Sequence, residues 1–142
     1  MADAFYQEFP NAILGAPTHS AIDLNTDTIK VALRDEGVTA INLATQVDLA
    51  DVSSAHVGTA QTVGSATVGV VAYGVFDHAN VTFSAVSGAS CESLDYYKDS
   101  GVAGTSPLIC NIDSATGLPV TPNGGDITWT PNASGVFQIT TS

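Results

Sequence analysis

The sequence predicts an all-β fold, a single antiparallel β-sandwich or jelly-roll-like domain with an extended N-terminal arm. Three observations carry that prediction. Short stretches that alternate apolar and polar residues recur along the 142-residue chain. Clusters of Gly, Asn, Asp, Ser and Pro separate them about every 8–12 residues, the spacing of sandwich and barrel strands. No amphipathic stretch is long enough for the helical crossover that parallel strands require.

The elements follow in order. Residues 1–20 read as the arm, with Phe5, Tyr6, Phe9, Pro10, Ile13, Leu14 and Pro17 giving it an apolar and aromatic character. Two roles are open to it: cover over its own domain, or a hook on a neighbouring subunit. Residues 21–142 read as the β domain. Thr28–Arg34 alternates, with Ile29, Val31 and Leu33 on one face and Lys30, Ala32 and Arg34 on the other. Two short apolar pieces follow, Ala40–Leu43 and Val47–Leu49. Asp51–Ser54 can cap one helical turn through Ala55–Val57. Gln61–Val71 reads as one or two strands punctuated by Gly58, Gly64, Gly69 and Gly74, and glycine inside a strand pattern points to bulges. Val81–Val86 alternates again. Cys91–Lys98 and Pro107–Ile112 form the next strands, and Val136–Thr140 closes the chain.

Residues 106–130 are the densest in turns. A strand runs into Asp113–Gly117, a short piece is held between Pro119 and Pro122, and Asn123–Asp126 turns once more. Ile127–Thr130 then alternates, which puts Ile127 and Trp129 on the core face. Loops held on a rigid scaffold often carry recognition. Asp113, Thr116, Asn123 and Asp126 are therefore candidates for an exposed recognition turn.

Composition narrows the partners. Hydrophobic residues make up 44% of the chain and charged residues 12%, so a core is expected while Ser, Thr, Asn and Gln supply the polarity. Fourteen acids face only Lys30, Arg34 and Lys98, for a formal net charge of −11. Such a balance repels nucleic acid and anionic membranes, since phosphate binding needs clustered Lys and Arg. No basic and apolar leader opens the chain and no apolar run approaches the roughly 18 residues of a span, so synthesis in the cytoplasm is expected. Cys91 and Cys110 are expected as free thiols, because a turn near residues 102–103 sets residue 94 opposite residue 110.

No reactive signature emerges. His19, His56 and His78 are scattered, without the convergent ligands a zinc site needs. Gly-x-Ser-x-Gly is absent, and Gly64–Gly69 is followed by two valines in place of the Lys-Ser/Thr of a phosphate loop. Acids at Asp95, Asp99, Asp113 and Asp126 read as solvated turn acids in preference to a cation site, because none sits in an EF-hand pattern. The expectation is a protein without catalytic residues, cofactor or metal, which acts by binding. A receptor- or glycan-binding module is the alternative.

Six segments taken in order resemble a known group. They are Asp27–Leu33, Val47–Ser54, Val81–Gly88, Tyr97–Gly101, Ser106–Ile109 and Gly117–Ile127. Together they resemble small virion proteins of tailed bacteriophages, the capsid decoration or cement proteins and their relatives. The resemblance runs from about Asp23 to the C-terminus. It implies a small β domain on the outer surface of the head, assembled in the host cytoplasm. It further implies a homotrimer, with the major capsid protein as partner. On that reading Phe5, Tyr6, Phe9, Ile13 and Leu14 contact the capsid or the next protomer.

Overall fold

The computed structural model describes residues 3–15 and 20–140. The fold is an antiparallel β-sandwich, as expected. Its strands are β1 (Ala4–Phe5), β2 (Ile29–Arg34), β3 (His56–Thr62), β4 (Thr67–Val68), β5 (Val75–Asp77), β6 (Val81–Phe83), β7 (Ser93–Lys98), β8 (Leu108–Ile112), β9 (Ile127–Trp129) and β10 (Phe137–Gln138). One five-stranded sheet has the order β1-β8-β7-β2-β3. A three-stranded sheet, β10-β5-β4, and the pair β6-β9 complete the layers.

The main core lies between these layers. Val31, Leu33, Leu94 and Tyr96 from the large sheet meet Phe76, Val81, Phe83 and Trp129 from the smaller ones. The alternation read in Ile29, Val31 and Leu33 thus points to the core, and Trp129 is buried with Ile127 packed beside it. The opposite face of the large sheet is covered too. Tyr6, Ala32, Val52, Tyr97 and Leu108 form a second apolar cluster there. Strands buried on both faces cannot show clean apolar–polar alternation. That is why Lys30, Ala32 and Arg34 look like a solvent face in the sequence, whereas Arg34 is fully buried.

The extended arm is not what residues 3–13 form. Ala4 and Phe5 pair with Asn111 and Cys110 as an edge strand, and Glu8–Ile13 make a short α-helix, α1. Pro10 sits in the first helical turn, where its missing N–H has no intrahelical partner to lose. The physical reason for the fold-back is aromatic. Phe5 stacks on Phe9 with centroids 4.9 Å apart and meets Phe137 edge-on at 4.9 Å; Phe137 in turn stacks on Phe76 at 5.2 Å. Pairs of this kind contribute about 0.5–1.5 kcal/mol each beyond their buried area. Pro17 and His19 of the expected arm lie outside the described residues.

Other boundaries move for local reasons. The expected helical turn after Asp51 lies earlier, in two short 3-10 turns at Leu49–Asp51 and Ser53–Ala55. Asp48 is the cap: its carboxylate accepts from Ala50 N, while Asp51 accepts from Val47 N and Asp48 N. Residues 40–47 form a loop, not the apolar pieces expected there: Gln46 accepts from Asn42 N and donates to Ala40 O, and Asn42 Oδ1 accepts from Ala44 N. β3 carries a bulge between the pairings Val31↔Gln61 and Leu33↔Val57, with Gly58 at φ +72° inside it, so the glycine reading holds at that position. The β7–β8 register is shifted by a bulge at Tyr96/Tyr97. Cys110 faces Tyr96, not residue 94: the Tyr97↔Leu108 pairing alone would set residue 95 opposite it, and the bulge adds one more residue. Cys91 lies apart, bridged to Val120, and both thiols are free and buried, as expected.

Candidate functional site

The centre of the large sheet holds a buried polar network. β2 supplies Arg34, β7 supplies Ser93 and Asp95, β8 supplies Asn111, the start of β3 supplies His56, and the N-terminal segment supplies Tyr6. Asp95 Oδ1 accepts from Tyr6 Oη at 2.7 Å and from Asn111 Nδ2 at 2.9 Å. Its Oδ2 accepts from Arg34 Nη1 at 2.9 Å and from His56 Nε2 at 3.0 Å. Four bonds fill the acceptor capacity of a carboxylate. Because that carboxylate only accepts, His56 carries its proton on Nε2. Arg34 Nη1 also donates to Tyr6 Oη at 2.9 Å, and Nη2 reaches Thr39 O at 2.8 Å.

Burial pushes the Asp95 carboxyl up. The His56 hydrogen bond, the Arg34 charge and the Asn111 hydrogen bond outweigh it and hold Asp95 below the usual carboxylate range. The same desolvation raises the Tyr6 phenol far above its ordinary value, with the Asp95 charge adding to it. Every acceptor site of Asp95 is occupied from within the chain, so it is neither a turn acid nor open to a cation. Among the described residues no group of three His, Cys, Asp or Glu is placed to hold a metal ion. This network ties β2, β3, β7, β8 and the N-terminal segment to one another.

A second polar chain crosses the core. Trp129 Nε1 donates to Tyr96 Oη at 2.6 Å; the Ala79 carbonyl can only accept, so His78 Nδ1 donates to it at 2.6 Å, and the Nε2 of a neutral His78 accepts from Tyr96 Oη at 2.7 Å. This sequence of donors requires a neutral His78. Burial lowers its pKa, against the opposing pull of the Ala79 carbonyl and the Asp77 charge. An unfolded His titrates near 6.5. The unfolded chain therefore takes up the proton first as pH falls, and the His78 contribution is present above about pH 6.5 and lost as pH drops through the folded value. The expected result is a lower urea midpoint at pH 5 than at pH 7.5. His78→Gln, whose amide oxygen still accepts from Tyr96, should shrink that difference.

All three basic side chains are committed to carboxylates: Lys30 to Asp99 at 2.8 Å, Lys98 to Asp27 at 2.9 Å, and Arg34 to Asp95. The surface is left acidic, with no basic cluster for phosphate.

The predicted recognition turn is on the surface but largely self-bonded. Thr116, Asn123 and Asp126 are exposed and Asp113 is half-buried. Asn123 Oδ1 accepts from Gly125 N, and Asp126 Oδ1 from Ala85 N at 2.9 Å, so these two side chains shape turns. Among the predicted contact residues, Tyr6 and Phe9 are fully buried in this chain, and Phe5 is half-buried in its aromatic cluster. Ile13 is half-buried against the main core, and Leu14 is 80% exposed.

What sequence reasoning missed is a tongue between β4 and β5. Residues 69–74, of which 69–71 read above as the end of a strand, form a loop that presents Val70 at 75% and Tyr73 at 94% exposure, with Val71 beside them. The loop is built, not loose. Gly69 N donates to Val75 O, Val75 N to Ala72 O, Gln138 Nε2 to Tyr73 O and Ile139 N to Gly74 O. Gly74 has φ +75°, and a Cβ there would come within 2.1 Å of Ile139 O, so only glycine closes the tongue's base. At that base Ile13, Ile22, Leu24 and Val68 line a shallow hollow. Ile139 continues the apolar surface on the other side. A charge-free apolar run was the available signal, but a buried strand gives the same one.

No family model matches the chain, and comparison with curated proteins finds no match.

Proposed function

We propose that this chain is a non-enzymatic capsid decoration protein that grips the outer surface of a tailed-phage head through its apolar tongue. The observation that carries the reading is the tongue itself. Val70, Val71 and Tyr73 are held in water by a hydrogen-bonded loop, and large exposed apolar patches mark interaction sites. Val68, 44% exposed, extends the surface, and of the five N-terminal residues expected to make contact Leu14 is the one that stays exposed, so the contact role passes to it. The segment resemblance supplies the setting: a virion, a major capsid protein as partner and a homotrimer. Acidity supports it, because a decoration protein outside the shell has no business with packaged DNA.

The matching site on the major capsid protein is an apolar socket with a basic rim. Burying a Val or Tyr side chain contributes about 1.5–3 kcal/mol before association costs. Aromatic anchors dominate such contacts. Undecorated heads should therefore bind the wild-type chain, and Val70→Ser/Tyr73→Ser should lower affinity at least about tenfold, or about 1.4 kcal/mol. The exposed positions should leave stability within about 0.5 kcal/mol. Co-sedimentation with heads reads the occupancy. A double variant that decorates like wild type would remove the tongue from the account.

A further inference from the structure

The β4 edge of the small sheet is open, and the core beside it is unfinished. β4 ends the order β10-β5-β4. The register Thr67↔Asp77 and Val68↔Phe76, with Gly69 N bonded to Val75 O, puts residues 67 and 69 in the hydrogen-bonded positions. The Val68 N–H and C=O therefore point away from β5, and neither has a backbone partner among the described residues. The Val68 side chain shares the face of its cross-strand neighbour Phe76, which is the core face, yet Val68 is 44% exposed. There the sandwich gapes. A hollow of about 430 Å³ runs from Val68 to Ile13, Ile22 and Leu24, with Asp23 and Asn25 exposed at its rim. We infer that this edge takes up an extended segment of the major capsid protein as an added strand, an inference that rests on the head-binding reading above and gives it a mode.

The edge defines the chemistry of that segment. One outward donor and one outward acceptor at Val68 complement a peptide unit of extended backbone, the basis of recognition by strand addition. Every second residue of a strand laid there faces the hollow, so its alternate residues are apolar to fit Ile13, Ile22, Leu24 and Val68. Asp23 adds a charge. The Asn25 N–H and the Thr26 hydroxyl bond its carboxylate and lower its pKa, so it stays ionised at the rim and calls for a Lys or Arg beside the apolar positions. A second copy of this chain does not meet that call. Its Lys30, Arg34 and Lys98 are bonded to carboxylates, and it brings a further formal charge of −11. The edge also lacks the guards that keep strands from pairing at random. No Asp, Glu, Lys, Arg or Pro occurs from Val52 to Phe76. The β3 edge, by contrast, is bent by its bulge and backed by Val86 at Gly58.

Two substitutions separate the backbone from the side chain. Val68→Pro deletes the outward N–H and breaks no β4–β5 bond, since proline is tolerated on an edge strand whose N–H faces solvent. Val68→Ala trims the side chain and keeps the N–H. Co-sedimentation with undecorated heads should show Val68→Pro binding at least about tenfold more weakly than Val68→Ala, with both variants melting cooperatively. Amide hydrogen exchange of the wild-type chain reads the same bond without a substitution, and it decides even where the proline variant fails to fold. The Val68 N–H should exchange freely in the isolated chain and at least about tenfold more slowly on heads. Three outcomes would overturn the inference: equal binding by the two folded variants, a Val68 amide already protected in the isolated chain, or exchange that heads leave unchanged. If one of these holds while Val70→Ser/Tyr73→Ser still weakens decoration, the tongue grips the head and only the added strand is rejected. A wild-type chain that never sediments with heads rejects both.

Discussion

Arg34→Ala should destabilise the fold by about 3–5 kcal/mol, the cost of leaving one member of a buried ion pair alone. The guanidinium is fully buried and bonds Asp95, Tyr6 and the Thr39 carbonyl at once. Without it, Asp95 retains hydrogen bonds from Tyr6, Asn111 and His56 but no permanent cation. A loss of this size is a large share of the 5–15 kcal/mol that holds a typical domain together. Adding Asp95→Asn removes the orphaned charge, so Arg34→Ala/Asp95→Asn should lose less than the two single changes summed. Urea denaturation of the four proteins in a double-mutant cycle measures the coupling, expected at about 1–3 kcal/mol. Strict additivity would mean that the network does not act as a unit. Acid tests the same carboxylate. Its folded pKa is depressed below an unfolded value near 3.9, so its contribution is complete above about pH 4 and disappears as pH falls through the folded value.

Removing residues 1–14 should abolish the native fold at room temperature. Phe9 is buried in the main core, Tyr6 in the second cluster and the polar network, and Phe5 against Phe9 and Phe137. Phe9→Ala alone is expected to cost about 3–5 kcal/mol, and the truncation adds the loss of Tyr6 and of an edge strand. The measurement is near-ultraviolet circular dichroism with thermal melting, for the truncated chain and for Phe9→Ala. A truncated protein that melts cooperatively near the wild-type temperature would show that the segment is an accessory to the domain. On the structure described above it is a structural part of it, and a loss of head binding after truncation would report unfolding before it reported docking.

Sequence periodicity revealed one face of the sandwich and concealed the other. Ile29, Val31 and Leu33, and later Ile127 and Trp129, announce their core positions because their neighbours are polar. Arg34 and Asp95 defeat the same rule. Charged residues at alternating positions look solvated, and only the covering by Tyr6 and Val52, with Leu43 and Leu49 packed beside them, makes their face an interior. The pairing of those two charges spans 61 positions in sequence and rests on the β2–β7 register, which local pattern does not specify. The Cys110 partner was missed by two residues of register, one of them a bulge. The tongue was hidden for the converse reason: Val70, Val71 and Tyr73 carry the composition of a core strand, while Gly69 and Gly74 at positive φ turn that stretch out into water.

The proposed role stands or falls on where this acidic sandwich sits in a particle. An electron-microscopy map of the native virion tests it most directly. The account predicts density for the domain on the outside of the head, with residues 69–74 buried against the major capsid protein. A map that shows the domain elsewhere, or seated on the head with Val70 and Tyr73 pointing into solvent, would contradict it.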